Sequence, residues 1–396
     1  MERKFFSWQG MAMNKPTTVL HLLPDMKTGG GQTLLLAQLK ASDAQLLRHV
    51  VCYIRNEDDL SDQYRAAGLD VIGLGVCRKR HLATAFLKLI WLTFSRQIDI
   101  VHANNTHTDM RFAVPLSIWT KRHLVVTLHG YNGSSRSPEK QRRFNKLWKR
   151  AARRLSAVIA VSEPVRESWQ AHFRDLGLAN DKIKTIRPII ELDRFTSPDR
   201  ASTHRRIIDE FGLPENAKIA ITVSRLVERK GLEELIKALA AISDEVPESH
   251  LLFVGDGPLR DRLCDLGQAL GVESRLVFAG NRSDVPELLS GSDVFVFASE
   301  SESFGLAPCE AMAAGLPIVI NELPSLKQIL VDGENAFVVA PGSDSTFALA
   351  LRRVLLEPGL AIQMGTAGAA KAAKLFGAKN SAEQLASLYL QAKHEK

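Results

Sequence analysis

The sequence predicts an α/β protein built from two doubly wound domains. Short apolar runs rich in Val, Ile and Leu alternate with amphipathic helical segments in both halves of the chain. This alternation is typical of parallel sheets whose faces are covered by helices. The chain has 396 residues, whereas a single hydrophobic core stops growing at roughly 250–300 residues. The contents of 45% apolar and 24% charged residues are ordinary for a globular protein.

The predicted strands of the first half are the apolar runs at residues 18–23, 49–54, 69–74, 98–102, 124–128 and 157–161. Those of the second half are residues 219–224, 250–254, 275–279, 294–297, 317–320 and 336–339. Helices are expected between them, for example at residues 231–241 and 259–270. A stretch with prolines and charges at residues 187–204 predicts the linker. We therefore expect domains at residues 14–190 and 205–375, followed by a helical C-terminal segment at residues 376–396.

The cysteines, the first residues and the distribution of charge give weaker indications of the compartment, the start of the chain and its partners. The four cysteines form no Cys-x-x-Cys pair, so neither a zinc site nor a disulfide framework is indicated and a reducing cytosol is expected. No secretory signal is recognisable, and Met13 is a plausible start after a leader of twelve residues. Residues 1–200 hold 32 basic against 18 acidic residues, a net charge of +14, while the remainder carries −7. This asymmetry predicts that the first domain faces an anionic partner.

Two carboxylates flank a turn that suits a phosphate. Glu302 and Glu310 stand eight residues apart, with the turn Ser303-Phe304-Gly305-Leu306 between them and a predicted strand before them. Pro308 favours the start of a helix, because its missing N–H would have no partner there. The free N–H groups of the turn and the helix dipole attract an anion. One carboxylate can then lie on each side of a bound diphosphate.

This arrangement resembles the Glu-x7-Glu motif of the retaining glycosyltransferases of the GT-B fold, family 4 (glycosyltransferase group 1). The resemblance implies two Rossmann-like domains that face a cleft, the first on the acceptor side and the second binding the nucleotide sugar. It also implies that the C-terminal helix crosses back to the first domain. It implies that Glu310 holds the ribose hydroxyls and that Glu302 holds hydroxyls of the transferred sugar.

Two further loops are similar to motifs of the same family. The segment from Ser224 to Gly231 follows a predicted strand, and the resemblance implies that Arg225 and Lys230 bind the diphosphate of the donor. The forked guanidinium of Arg225 and the mobile ammonium of Lys230 suit phosphate oxygens. A solvated basic turn would have the same sequence pattern. The run Gly29-Gly30-Gly31 precedes a predicted helix at residues 33–39 and resembles the loop that closes over the donor. It lacks the spacing of a dinucleotide or Walker loop.

Other polar residues are candidates with open alternatives. Asn281 and Arg282 match positions near the nucleotide base, where a plain turn is nearly as good an explanation. His129 ends a strand and resembles the histidine that the family places beside the transferred sugar, although it can also be structural. Three residues of the preceding loop are candidates for the acceptor side, namely Asn104, Asn105 and His107.

The expected activity is a retaining, metal-independent transfer of a hexosyl group from a nucleotide-diphosphate sugar to a glycan or lipid-linked acceptor. The expected catalytic residues are Glu302, His129, Arg225 and Lys230, with no cofactor and no metal, since no Asp-x-Asp is present. The expected setting is bacterial cell-surface polysaccharide, lipopolysaccharide or glycolipid synthesis in the cytoplasm. The alternatives are a nucleotide-sugar epimerase on the same fold and a catalytically silent basic binding module. A nucleic-acid partner is not expected, because no aromatic stacking platform is recognisable.

A basic helix predicts contact with the anionic inner-membrane surface. Residues 121–154 contain eleven basic residues and one acid, Glu139, and residues 141–155 have a helical pattern. One face of that helix carries six apolar residues, Phe144, Leu147, Trp148, Ala151, Ala152 and Leu155. Such a helix is typical of a membrane interface. The alternative is that the stripe packs on the sheet and leaves a solvated basic face. The cluster at residues 77–81 adds further positive charge.

Overall fold

The structure, a computed structural model, describes residues 15–27, 29–104, 108–132, 137–177, 179–195 and 199–394. These residues form two compact units. The first domain comprises the described parts of Met1–Val161, Arg166–Ile186 and Lys379–Lys396, and the second comprises those of Ser162–Val165 and Arg187–Ala378.

The strands follow one another along the chain as β1 (Thr17–Leu23), β2 (Leu47–Tyr53), β3 (Asp70–Gly73), β4 (Ile100–Ala103), β5 (His123–Leu128), β6 (Leu155–Ala160), β7 (Ile183–Thr185), β8 (Lys218–Val223), β9 (Ser249–Val254), β10 (Leu276–Gly280), β11 (Val294–Phe297), β12 (Ile318–Asn321) and β13 (Phe337–Val339).

The α-helices are α1 (Gly30–Lys40), α2 (Ser61–Ala66), α3 (Leu82–Ser95), α4 (Thr108–Thr120), α5 (Pro138–Ala151), α6 (Glu163–Asp175), α7 (Arg200–Phe211), α8 (Leu232–Ala241), α9 (Arg260–Ala269), α10 (Val285–Ser290), α11 (Leu306–Ala313), α12 (Asp344–Leu356), α13 (Pro358–Phe376) and α14 (Ala378–His394). None of the helices in the described part of the chain has the length and apolarity needed to cross a membrane.

Each domain contains one doubly wound parallel sheet. In the described residues the first sheet has seven strands in the order β3-β2-β1-β4-β5-β6-β7, and the second has six in the order β10-β9-β8-β11-β12-β13. The direction of winding therefore reverses between β1 and β4 and again between β8 and β11. In open α/β sheets ligands bind beyond the carboxyl ends of the strands at such switch points. The loops after β8 and β11 meet at the switch point of the second sheet.

The strands predicted from apolar runs are confirmed, with ends that differ by at most two residues. Because parallel strands are buried on both faces, they need nearly continuous apolar sequence, and that makes them easy to recognise. One edge strand, β7, was not predicted. It has only three residues, and just one of them is apolar.

The predicted end of the basic helix is wrong. The helix α5 ends at Ala151, and Leu155 begins strand β6. Its Phe144, Trp148 and Ala151 are buried, and the ring of Trp148 lies 4.8 Å from that of Phe173, centroid to centroid. Most of the apolar stripe therefore packs inside the first domain, as the alternative interpretation held, but Ala152, which follows the last residue of the helix, is exposed. The basic side chains of the opposite face remain exposed, as at Lys146 and Lys149.

The last helix, α14, completes the core of the first domain. Its Leu385 and Tyr389 are buried in one cluster with residues of the central strands, including Val19 of β1. The Tyr389 hydroxyl lies 2.7 Å from Nδ1 of His102, whose Nε2 lies 2.8 Å from Oγ1 of Thr127. Burial in this cluster lowers the pKa of His102 to about 3, so its imidazole is neutral at neutral pH.

Candidate functional site

The turn between β11 and α11 leads directly into a helix N-terminus. Gly305 precedes the helix with φ of 86°, a left-handed conformation that favours glycine. A Cβ at this position would also lie 2.9 Å from Cδ1 of Leu326. The helix begins at Leu306, two residues before the predicted Pro308, so the proline lies within the first turn. The first N–H groups of a helix have no intrahelical partner, and here they offer an anion site.

Glu302 and Lys230 form an ion pair beside this turn. Their side chains are only 14% and 12% exposed, and the Lys230 ammonium lies 5.2 Å from the centroid of the Phe297 ring. The Ser299 hydroxyl lies 3.0 Å from Oε1 of Glu302 and can donate to it. The structure thus brings two of the predicted site residues into direct contact and holds the carboxylate from two sides. Ser299 was missed, because a serine after a strand gives no signal of its own.

Close backbone contacts hold the Lys230 loop against the β11 loop. Gly231 has φ of 62°, and a Cβ there would lie 2.1 Å from the carbonyl oxygen of Ala298. The N–H of Glu300 donates to the carbonyl of Arg229 at 3.0 Å. Only glycine allows this approach at residue 231. The glycine after Lys230 was therefore also a signal that the two loops pack closely.

Arg225 is exposed at the start of the same loop. The N–H of Ser224 donates to the Val254 carbonyl and the N–H of Leu226 to that of Asp256, each at 3.0 Å. Gly255 makes this crossing possible, since a Cβ there would lie 2.0 Å from the Ser224 carbonyl oxygen. The backbone on either side of Arg225 is therefore anchored while its guanidinium faces solvent.

Glu310 lies one turn into α11 and is half-buried. Burial raises the pKa of its carboxyl group to about 7, and the nearby Arg194 opposes this shift. A raised pKa is common in functional carboxylates. Hydroxyl groups that donate to this carboxylate would favour its charged form. Arg194 was not predicted as a neighbour, because it lies more than one hundred residues earlier in the chain.

The two candidates for base contacts differ in their surroundings. Arg282 donates from Nε and Nη2 to the two carboxylate oxygens of Asp284, each at 2.8 Å, and from Nη1 to Glu210 at 2.5 Å. Hydrogen bonds from Arg282 lower the pKa of Asp284. This guanidinium therefore braces the loop after β10. Asn281 is exposed beside it and offers an amide to a ligand.

The first domain places its candidate residues at the carboxyl ends of β1, β4 and β5. Gly29 and Gly30 lie at the start of α1, and a Cβ at Gly31 would meet no atom within 4 Å. His129 follows β5, and burial lowers its pKa to about 4, so it acts as a neutral hydrogen-bonding group. The buried Asn104 amide lies 3.3 Å from the Leu22 carbonyl oxygen and links β4 to β1. Thr28, Asn105 and His107 lie outside the described residues.

Metal-ligating side chains are dispersed in the described structure. Among the residues that it covers, no group of three or more His, Cys, Asp or Glu side chains is arranged to share a metal ion.

Comparison with known proteins identifies the family. The sequence model for glycosyl transferases group 1 matches residues 204–371, and that for glycosyltransferase family 4 matches residues 28–194. The N-acetyl-alpha-D-glucosaminyl L-malate synthase of Bacillus anthracis is 27% identical over 298 residues, 74% of each chain. The lipopolysaccharide core biosynthesis glycosyltransferase LpsE of Rhizobium meliloti is 32% identical over 194 residues, 49% of this chain and 53% of LpsE.

A solved structure gives the fold. Anabaena HepE, in complex with UDP and glucose, has a TM-score of 0.80 at 23% identity and covers 94% of this chain and 98% of its own. At this identity the likeness establishes the GT-B architecture and no more. The two family models together match most of the chain, and their matches include every candidate residue named above. This protein therefore belongs to the group 1, family 4 glycosyltransferases and is a glycosyltransferase of the GT-B fold.

Proposed function

We propose that this enzyme transfers a sugar from a nucleotide-diphosphate sugar to a glycan or lipid-linked acceptor, with retention of anomeric configuration and without a metal ion. The observation that supports this most directly is the Glu302–Lys230 pair beside the N-terminus of α11, with Glu310 one turn further along. A cation, free amides and two carboxylates around one turn suit a ligand that is anionic in the middle and rich in hydroxyls at both ends.

In this proposal the diphosphate lies against the turn formed by residues 303–306. The amides of Ser303, Phe304, Gly305 and Leu306 and the positive end of the α11 dipole face it. Lys230 and Arg225 supply full positive charges. HepE has been solved with UDP and with UDP-glucose, which makes UDP-sugars the first donors to test.

The two carboxylates take opposite ends of the donor. Glu310 accepts hydrogen bonds from the ribose hydroxyls, and Glu302 accepts them from the transferred sugar. We also assign Gly29, Gly30 and Gly31 to the donor, and Asn281 to its base. Arg282 supports that contact through Asp284 and Glu210.

Catalysis then consists mainly of stabilising the departing diphosphate. As the sugar–phosphate bond breaks, negative charge grows on the leaving oxygen. The Lys230 ammonium, the Arg225 guanidinium and the turn amides offset that charge without reorganisation, which is often the largest single contribution to catalysis. Glu302 is engaged with Lys230 and Ser299, so we assign it to binding rather than to nucleophilic attack. The acceptor attacks from the face that the diphosphate leaves, and the diphosphate takes its proton.

His129 contributes a neutral imidazole on the acceptor side. With its pKa lowered to about 4 it donates or accepts a hydrogen bond at neutral pH and carries no charge. We assign it to a hydroxyl of the transferred sugar. Asn104 then has a structural part, since its amide joins two strand ends, and Asn105 and His107 stay candidates for the acceptor side.

The physiological setting is proposed from the relatives. LpsE is named as a lipopolysaccharide core biosynthesis glycosyltransferase, and the Bacillus anthracis enzyme is named as an N-acetyl-alpha-D-glucosaminyl L-malate synthase. We propose a cell-surface polysaccharide or glycolipid pathway, with the enzyme in the cytoplasm and in contact with the inner face of the membrane.

A donor panel tests the proposal. Binding of UDP-, GDP- and ADP-sugars is measured by calorimetry, and the best donor is used for transfer with and without EDTA. Retention is read from the anomeric signals of the product by NMR. Loss of activity in EDTA that manganese restores, or an inverted product, would contradict the mechanism. Conversion of the donor to its epimer without an acceptor would favour an epimerase instead.

A further inference from the structure

Helix α3 exposes a second apolar face. Leu89 and Leu92 are buried against the first domain, but Leu87, Trp91 and Phe94 are 64%, 63% and 57% exposed. Their spacing of four and three residues places these three side chains on one face of the helix. A helix on the surface of a globular domain usually carries polar residues there, so this face is made for a contact that the domain itself does not provide.

Helix α4 extends this face. Trp119 is 74% exposed, and its ring packs at 87° on that of Phe86 from α3, with centroids 6.3 Å apart. Among the described residues, the tryptophan and phenylalanine side chains classed as exposed are Trp91, Phe94 and Trp119. All of them lie on these two neighbouring helices. We call Leu87, Trp91, Phe94 and Trp119 the α3–α4 surface.

Positive charge surrounds the α3–α4 surface. The guanidinium carbon of Arg122 lies 5.8 Å from the centroid of the Phe94 ring, and Lys88, Arg111 and Lys121 are exposed on the same helices or at their ends. The sequence contains no Asp or Glu at residues 71–98 or 110–138. The segments that carry the aromatic side chains therefore supply cations, and the Asp70 carboxylate just before them pairs at 3.0 Å with Arg96, which follows α3.

The basic helix α5 lies beside α4 in the same row of helices. Its apolar stripe is buried, as described above, so it cannot enter a lipid phase. Its exposed cations can still attract an anionic surface at a distance, such as Lys146 and Lys149. Helix α5 therefore adds charge to a face whose apolar contact belongs to α3 and α4.

We propose that the α3–α4 surface docks the first domain on an anionic lipid bilayer. Indole rings favour the headgroup level of a membrane, and leucine and phenylalanine can enter the acyl boundary below it. Lys and Arg can lay their stems on the apolar surface while their charges reach lipid phosphates. A second copy of this chain is a poorer occupant, because cations would then face cations. This inference rests on the proposed function, because docking would bring the enzyme to a lipid-linked acceptor in the bilayer.

Vesicle sedimentation tests this location. The full chain is mixed with phosphatidylcholine vesicles or with vesicles that also contain phosphatidylglycerol. The test variant replaces Leu87, Trp91, Phe94 and Trp119 by Ser. The matched control replaces Leu349 and Ile362 by Ser, which are 59% and 70% exposed in the second domain. We expect the wild-type chain and the control to bind the anionic vesicles, and the test variant to partition at least tenfold less.

Three results would overturn the inference. They are equal binding of the test variant and the wild-type chain, equal binding to neutral and anionic vesicles, and a dimer in solution that the four substitutions dissociate without any effect on lipid. Tryptophan fluorescence gives a second readout, since Trp91 and Trp119 should shift to the blue on vesicles. Donor binding without vesicles is measured in parallel. If the wild-type chain binds vesicles but no nucleotide sugar, the proposed function alone is refuted. If it binds a nucleotide sugar but no vesicles, docking alone is refuted.

Discussion

Replacing Glu310 by Gln is expected to stabilise the second domain and to weaken donor binding at the same time. Burial raises the pKa of this carboxyl group from the ordinary 4.5 to about 7. The unfolded chain therefore releases the proton more readily than the folded chain does. Stability from this group is complete below pH 4.5 and is lost as pH rises through 7. Glutamine carries no charge and avoids that loss.

The size of the stability change follows from the pKa shift of Glu310. Each pKa unit corresponds to about 1.4 kcal/mol, so the wild-type domain loses about 1 kcal/mol by pH 5 and about 3 kcal/mol by pH 8. For a domain of this size about 1 kcal/mol moves the melting temperature by roughly 2–4 °C. Glu310→Gln should therefore melt roughly 6–12 °C higher at pH 8 and only a few degrees higher at pH 5. The lost charged acceptor should weaken donor binding by about 1.5–3 kcal/mol, roughly ten- to a hundredfold.

Calorimetry measures both quantities. Thermal scans at pH 5 and pH 8 give the stability difference, and titration with the preferred nucleotide sugar gives the affinity. Glu300→Gln serves as the control, because it removes an exposed carboxylate from the same segment. A lower melting temperature of Glu310→Gln at pH 8, or an equal effect at both pH values, would refute the raised pKa of Glu310. Unchanged donor affinity would refute the ribose assignment and leave the stability argument intact.

Three further predictions concern two loop residues and two buried histidines, His49 of β2 and His102 of β4. Gly231→Ala forces a Cβ to within 2.1 Å of a carbonyl oxygen, so we expect a cost of a few kcal/mol in chemical denaturation and a loss of donor binding. Lys230→Ala leaves Glu302 without its cation, so the transfer rate of this variant should fall by a hundredfold or more in a rate assay. The transfer rate of Glu302→Gln should fall less. Burial lowers the pKa of His49 to about 4 and of His102 to about 3, from 6.5. Stability should therefore be full above pH 6.5 and fall by about 2 kcal/mol for each histidine by pH 5, and denaturation midpoints that do not change between pH 7 and pH 5 would contradict this.

The sequence was sufficient for most of the fold because buried parallel strands are continuous apolar runs. It was insufficient where local patterns continue past a boundary. Ala152 keeps right-handed helical angles at the end of α5, and Ala and Arg are strong helix formers, so the pattern predicted a helix that continues into β6. At β7 the apolar run is too short to be distinguished from a loop.

The candidate site was predicted as residue types in loops, but its contacts were not. Lys230 and Glu302 are 72 residues apart, and they meet because β8 and β11 are neighbours at the switch point of the sheet. Arg282 and Glu210 are also 72 residues apart. The sequence of the loop that carries Arg282 therefore could not predict this ion pair. The buried stripe of α5 shows the same limit, since periodicity indicates an apolar face but not what covers it.

The position of α14 has a consequence for how the chain folds during synthesis. The first domain needs Tyr389 and Leu385 for its core, yet the rest of its chain ends at Ile186. At about 5–20 residues per second, a ribosome takes roughly 10–40 s to make the intervening segment. During that interval the sheet surface around His102 and Val19 is exposed to the cell, while the second domain is still being made. The first domain is begun first and finished last, so a ribosome that stalls within the second half releases a chain with two incomplete domains.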